Sequence, residues 1–117
     1  MNNILKKVNE LNQLVIAGKL EEGIDKFYHD DVVMQENETT PTIGKAANRD
    51  REKTFLSNIL EFRKAEVKGI AVGEDISTVI WHFDYTHREW GVRNYTQVSV
   101  QHWNNGQIVK EQFFYGN

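Results

Sequence analysis

The dipeptide Asn105-Gly106 leaves this chain the fewest alternatives. Both central positions of a type I′ turn need positive φ, which Asn and Gly tolerate, so the pair predicts a two-residue β-hairpin between the runs on either side. The hairpin sets Asn104 opposite Gln107, and therefore Val100 opposite Glu111, Val98 opposite Phe113 and Thr96 opposite Tyr115. Trp90-Gly91 predicts a second such turn, which places Trp81 opposite Val100, Phe83 opposite Val98 and Tyr85 opposite Thr96. The two registers agree. With turn residues also at Gly73-Glu74-Asp75, the stretches Phe62 to Val72, Ile76 to Glu89, Val92 to Trp103 and Gln107 to Tyr115 read as a four-stranded antiparallel meander. Nine of the 13 aromatic residues lie between Ile76 and Asn117.

The first half has a different period. Ile4, Leu5, Val8, Leu11 and Val15 recur at helical spacing up to a stop at Ala17-Gly18, and Leu20, Ile24, Phe27 and Tyr28 repeat the pattern. Val32 to Met34 reads as a short strand and Glu36 to Thr42 as a loop around the lone Pro41. Gly44 then opens a third helix with Ala47, Phe55, Leu56, Ile59 and Leu60 as its apolar members. The fold class expected is α+β, three N-terminal helices packed on a curved antiparallel sheet, with residues 1–117 as one domain.

Composition removes whole classes of function. No cysteine is present, which excludes disulfides, Cys-ligated zinc, iron–sulfur clusters and thiol catalysis. A formal charge of −3 with dispersed Lys and Arg argues against nucleic acid as a partner. No apolar run has the length of a membrane span and Met1 to Glu10 has no signal-type apolar segment, so no membrane partner and a cytoplasmic location are expected. No phosphate-binding Gly-rich loop or metal-spaced cluster occurs, so no cofactor and no metal are expected.

The predicted registers divide the meander into two faces. Val79, Trp81, Phe83, Tyr85, Val98, Val100, Val109, Phe113 and Tyr115 share one, which must meet the helices. Its odd member is Glu111, since an unpaired carboxylate among such neighbours is costly. It is either an edge-strand Glu that reaches solvent or pairs with Arg49 or Arg51, or the lining of a pocket where its pKa rises and it serves as an acid or base. The opposite face carries His82, Asp84, Thr86, Gln97, Ser99, Gln101, Trp103, Lys110, Gln112 and Phe114, with Ile80 and Tyr95 nearby; its large aromatics suit either solvated sheet or a partner surface.

The segments "GKLEEGIDKFYHDDVVMQEN", "PTIGKAANRD" and "QHWNNGQIVKEQFFYGN", in this order around the strand pattern, resemble the nuclear transport factor 2-like superfamily and its SnoaL-like branch. The resemblance implies a cone with a pocket between the concave sheet face and the helices. It also implies a homodimer through the outer sheet face, here His82, Tyr95, Gln97, Gln101, Trp103 and Phe114. The superfamily includes polyketide cyclases, ketosteroid isomerases, dehydratases and members that only bind. Glu36 falls where the isomerases keep their catalytic base, whereas Leu11 and Val100 fall where those enzymes hold a Tyr and a protonated Asp, so both oxyanion-hole donors are missing.

Two readings follow. In the enzymatic one, Glu36 at the rim and Glu111 on the floor act as paired carboxylates with Tyr115 and Tyr85 as hydrogen-bond donors. Leu11, Trp81, Phe83, Val98, Val100, His102 and Phe113 then line the pocket, which serves isomerisation, cyclisation or dehydration. In the other, Glu36 is a solvated loop carboxylate and the same pocket, or the sheet face, only binds.

Overall fold

A computed structural model of the chain describes residues 3–116. Helix α1 (Ile4–Ile16) buries Ile4, Val8 and Leu11 along one stripe. Gly18, with φ of 76°, ends it: Lys19 N–H donates to the Leu14 carbonyl and Gly18 N–H to that of Val15, the paired bonds of a left-handed helix stop. Helix α2 (Leu20–Phe27) turns back at once and buries Ile24 and Phe27. Strand β1 (Tyr28–Glu36), the two-residue β2 (Thr42–Ile43) and helix α3 (Lys45–Ser57) follow. Asn48 anchors α3 by donating to the carbonyls of Gly44, 2.8 Å, and Thr42, 3.0 Å.

Four long strands complete the chain: β3 (Ile59–Val72), β4 (Ile76–His87), β5 (Gly91–Asn104) and β6 (Gln107–Tyr115). They form an antiparallel meander, as expected, but the six strands run in the order β2-β1-β6-β5-β4-β3 and β1 lies parallel to β6. The sheet is therefore mixed rather than antiparallel. Nor do three helices precede it, because α3 comes after β1 and β2. Ile59 and Leu60, expected to end the third helix, belong to β3, and Tyr28 opens β1 rather than closing α2. Pairing with β1 makes β6 an interior strand, so Glu111 is not at an edge.

Both hairpin registers need correction at the β5 strand. Three residues, Arg88 to Trp90, separate the last pair His87–Gly91, so Trp81 opposes Gln97 rather than Val100. The Asn105-Gly106 turn has the expected positive φ at both residues, 51° and 81°, yet one residue, Val109, bulges out beyond the Trp103–Ile108 pair, and Glu111 opposes Gln101 rather than Val100. Each odd shift inverts a strand relative to its neighbour, and the second undoes the first. Strands β4 and β6 thus keep their expected faces while β5 is turned over. Ser99, Gln101 and Trp103 are buried on the inner side, with Tyr95 and Gln97 in line with them, whereas Val98, Val100 and His102 lie on the outer side.

The core lies between this inner face and the helices. Val8, Leu11, Ile24, Phe27, Val32, Met34, Val79, Trp81, Trp103 and Ile108 cluster there. Among the described residues no helix is long and apolar enough to cross a membrane.

Candidate functional site

Glu111 is the most enclosed charged group near the sheet's centre, with 3% of its surface exposed. Its two oxygens accept from separate donors: the Tyr28 hydroxyl and, at 2.9 Å, the Gln101 amide. The Gln101 carbonyl oxygen in turn accepts from Ser77 at 2.6 Å, and Ser77 accepts from the Trp103 indole at 2.8 Å. An indole N–H can only donate, so Trp103 fixes the direction of the whole chain and delivers the Gln101 N–H to the carboxylate. Burial raises Glu111 to about 7, and the hydrogen bonds from Tyr28 and Gln101 only partly offset it. Burial and the facing Glu111 carboxylate likewise push Tyr28 well above the ordinary phenol value.

A second polar group lies at the C-terminal ends of β1 and β6. Asn37, with φ of 50°, accepts the Tyr115 backbone N–H on its side-chain oxygen at 3.0 Å and the Gln112 amide on its carbonyl at 2.7 Å. This clamps the end of β6 beside that of β1. The Tyr115 hydroxyl consequently donates to Glu36 at 2.7 Å, while Arg51 of α3 donates to the other Glu36 oxygen at 2.9 Å. Arg51 also faces Glu52 at 2.9 Å; the Glu52 side chain is only 12% exposed, and burial raises its pKa. The Glu36 side chain, by contrast, remains 42% exposed. Burial and the Glu36 carboxylate raise Tyr115 strongly, so its hydroxyl stays a donor.

Aromatic rings connect the two groups. Trp81 stacks on Phe83 at 5.2 Å, Phe83 meets Tyr95 at 5.9 Å, and Tyr95 meets Tyr115 at 5.5 Å. The Tyr85 and Tyr95 hydroxyls bond at 2.8 Å, and Phe55 of α3 closes over Tyr85. Along β5 the inner residues pass from buried Trp103, Gln101 and Ser99 to half-buried Gln97, Tyr95 and Arg93; along β6 they pass from buried Glu111 to half-buried Phe113 and Tyr115. Along β4, by contrast, the inner residues stay buried up to the β4–β5 turn, where Tyr85 is 2% and His87 3% exposed and Phe55 and Trp90 pack on the His87 ring. The part-exposed stretch of the inner face therefore runs along β5 and β6 past Gln97, Tyr95 and Tyr115.

Of the residues expected at a site, Glu36 and Tyr115 meet directly, Phe83, Tyr85 and Phe113 lie beside them, and Trp81 and Glu111 lie deeper. Leu11 belongs to the helix contact instead, where its tip fills the space left by Gly23. Val98, Val100 and His102 point outward, away from any lining role. Of the proposed partner face, Tyr95, Gln97, Gln101 and Trp103 point inward, leaving His82 and Phe114. The sequence singles out Arg51 only as a partner for Glu111, and it does not single out Tyr28 or Glu52 as polar partners at all. The spacing Asn48, Arg51, Glu52, Phe55 marks the helix face that meets the sheet, but its polarity hid it among the apolar members. A separate cleft of about 250 Å³ lies by the β5–β6 turn, lined by Lys7, Glu74, Asp75 and Trp103 among others.

Residues 2–115 match the family profile of the SnoaL-like domain. Among solved structures, a proposed SnoaL-like polyketide cyclase from Mesorhizobium loti is 24% identical, with 98% of this chain and 100% of that one covered and a TM-score of 0.86. A nuclear transport factor 2-like protein of unknown function from Burkholderia pseudomallei is 15% identical over 99% and 92% of the two chains, with a TM-score of 0.84. A proposed hydroxylase from Streptomyces galilaeus is 17% identical over 95% and 86%, with a TM-score of 0.76. At such identities the similarity speaks for the fold alone. A comparison with curated proteins finds no match.

Proposed function

The chain belongs to the SnoaL-like domain family, and from that premise we propose that it binds a small, flat, largely apolar molecule on the part-exposed stretch of its inner sheet face, with Tyr115 and Glu36 addressing the molecule's polar group. The observation that carries this reading is the Tyr115–Glu36–Arg51 chain of hydrogen bonds, partly exposed at the edge of an aromatic row. Such a surface combines apolar contact with a few convergent polar groups, which is the usual make-up of a small-molecule site. It also supplies proton transfer: Tyr115 offers a hydroxyl and Glu36 an accessible carboxylate, the groups that serve isomerisation, cyclisation or dehydration beside a carbonyl. Glu111 lies deeper, held by Tyr28 and Gln101.

Calorimetric titration with 2-naphthol tests the reading. Saturable binding of one molecule per chain is expected, weakened about ten-fold or more by Tyr115→Phe or Glu36→Gln, the weight of a hydrogen bond to a charged group. Absence of saturable binding, or binding indifferent to both substitutions, refutes it.

The outer face is proposed to meet a second copy of the chain. Ile80, Val98 and Phe114 are cross-strand neighbours on three adjacent strands, and Ile80 and Phe114 are each 39% exposed. Together they make an apolar stripe across the middle of that face.

A further inference from the structure

Arg93 lies on the inner face of β5, opposite Tyr85, and its guanidinium stands 4.8 Å from the centre of the Tyr95 ring. Tyr95 touches both Tyr85 and Tyr115, so Arg93 stands at the turn end of the aromatic row that leads to Tyr115. The two arginines differ in one respect. Arg51 is held between the carboxylates of Glu36 and Glu52, whereas no carboxylate lies within 4.0 Å of Arg93 among the described residues. Its Nε is buried without a hydrogen-bond partner, which is also true of Arg49 and Arg51, so what sets Arg93 apart is the missing carboxylate. A ring face attracts the positive charge but accepts little from five N–H donors, so the guanidinium still lacks an acceptor.

We infer that Arg93 recognises an anionic group, so that the preferred ligand of this inner face is a flat apolar molecule bearing a carboxylate. A guanidinium matches a carboxylate with two parallel hydrogen bonds, and ring contact with Tyr95 restricts its orientation in advance. A single negative charge fits better than a doubly charged phosphate, because Arg51 is already balanced by two carboxylates and Glu36 borders the same stretch. The carboxylate then rests on Arg93, the apolar body covers Tyr95 and Phe83, and the far end of the molecule faces Tyr115. This inference deepens the proposed ligand binding and rests on it.

Two probes of equal shape separate the ideas: 2-naphthoate, an anion, and 2-naphthamide, which is neutral. Calorimetry on the full chain is expected to show 2-naphthoate binding at least ten-fold tighter than 2-naphthamide, with the preference shrinking as salt is added. Arg93→Gln is expected to bring the two affinities together, and Arg93→Lys, which keeps the charge but not the fork, to retain a few-fold preference. Unchanged circular dichroism and thermal midpoint verify that the variants fold. Equal binding of both probes by the wild-type chain, or a preference that survives Arg93→Gln, overturns the role of Arg93 while leaving ligand binding in place. Failure of either probe to bind, together with failure of 2-naphthol, overturns both.

Discussion

A single buried carboxyl governs much of the inner face. Glu111 is raised from an ordinary 4.5 to about 7 by burial. Between those values the folded chain keeps a proton that the unfolded chain has released, so the folded state binds more protons and stability falls as pH rises through that window. Above pH 7 the cost of the buried charge is complete, roughly 3 kcal/mol for a shift of this size. Glu111→Gln removes that titration. Its stability relative to the wild-type chain, measured by urea denaturation, is therefore expected to improve by about 3 kcal/mol between pH 4.5 and pH 8. The comparison is made within each pH, so other titrating groups largely cancel. An unchanged difference between the two pH values would show that Glu111 ionises as freely in the folded chain as in the unfolded one. The carboxyl also explains its companions: Gln101 and Ser77 are buried because the acid needs an oriented donor, and Trp103 orients it.

Element by element, the β5–β6 hairpin depends on its turn. Gly106 has φ of 81°, and a Cβ there meets only the flexible amine of Lys7 at 2.6 Å, so the penalty for a side chain is almost wholly backbone. Gly106→Ala is expected to lower the denaturation free energy by about 1–2 kcal/mol, the cost of placing an L-residue in the left-handed region. A loss below a few tenths would mean that the turn relaxes into another type. This turn was legible in the sequence, as were α1, α2 and the four long strands, because Gly, Asn and regular apolar spacing act locally. The face of β5 was not. Two-residue loops at both ends of β5 put Val98 and Val100 on the core face and Gln97, Ser99, Gln101 and Trp103 on the other, and the shifted registers reverse this. The structure instead buries the glutamine and serine side, because Glu111 requires hydrogen-bond partners and Trp103 carries the apolar burial. A bulge and a three-residue turn leave no compositional mark that fixes their position. The Glu36–Tyr115 contact was legible only as two candidates; what joins them is the parallel β1–β6 pairing, a long-range contact that turn residues do not encode.

At the scale of the whole molecule, the sheet can associate by its edges or by its outer face. One edge, β2, has two residues, and the other, β3, carries the exposed charges Lys64, Glu66 and Lys68, with ion pairs at 3.4 and 3.6 Å. Short and charged edges resist pairing with another chain, which leaves the face. Strands β3 to β6 span about 19 Å at 4.8 Å per strand and about 40 Å along twelve residues, an area of roughly 760 Å². That is close to the roughly 800 Å² each partner contributes to a stable interface. Gly69, beside Ile80 in the adjoining row of β3, adds no side chain to hold two such faces apart. Sedimentation at micromolar concentration is expected to show a species of twice the chain mass. The double substitution Ile80→Glu and Phe114→Glu, placed on the outer stripe and away from the inner face, is expected to convert it to single chains with unchanged circular dichroism and unchanged 2-naphthol binding. A wild-type chain that sediments as a monomer, or a dimer that survives both charges, would rule out this face as the contact, since two carboxylates on each stripe would meet only carboxylates on the copy and be buried without a partner.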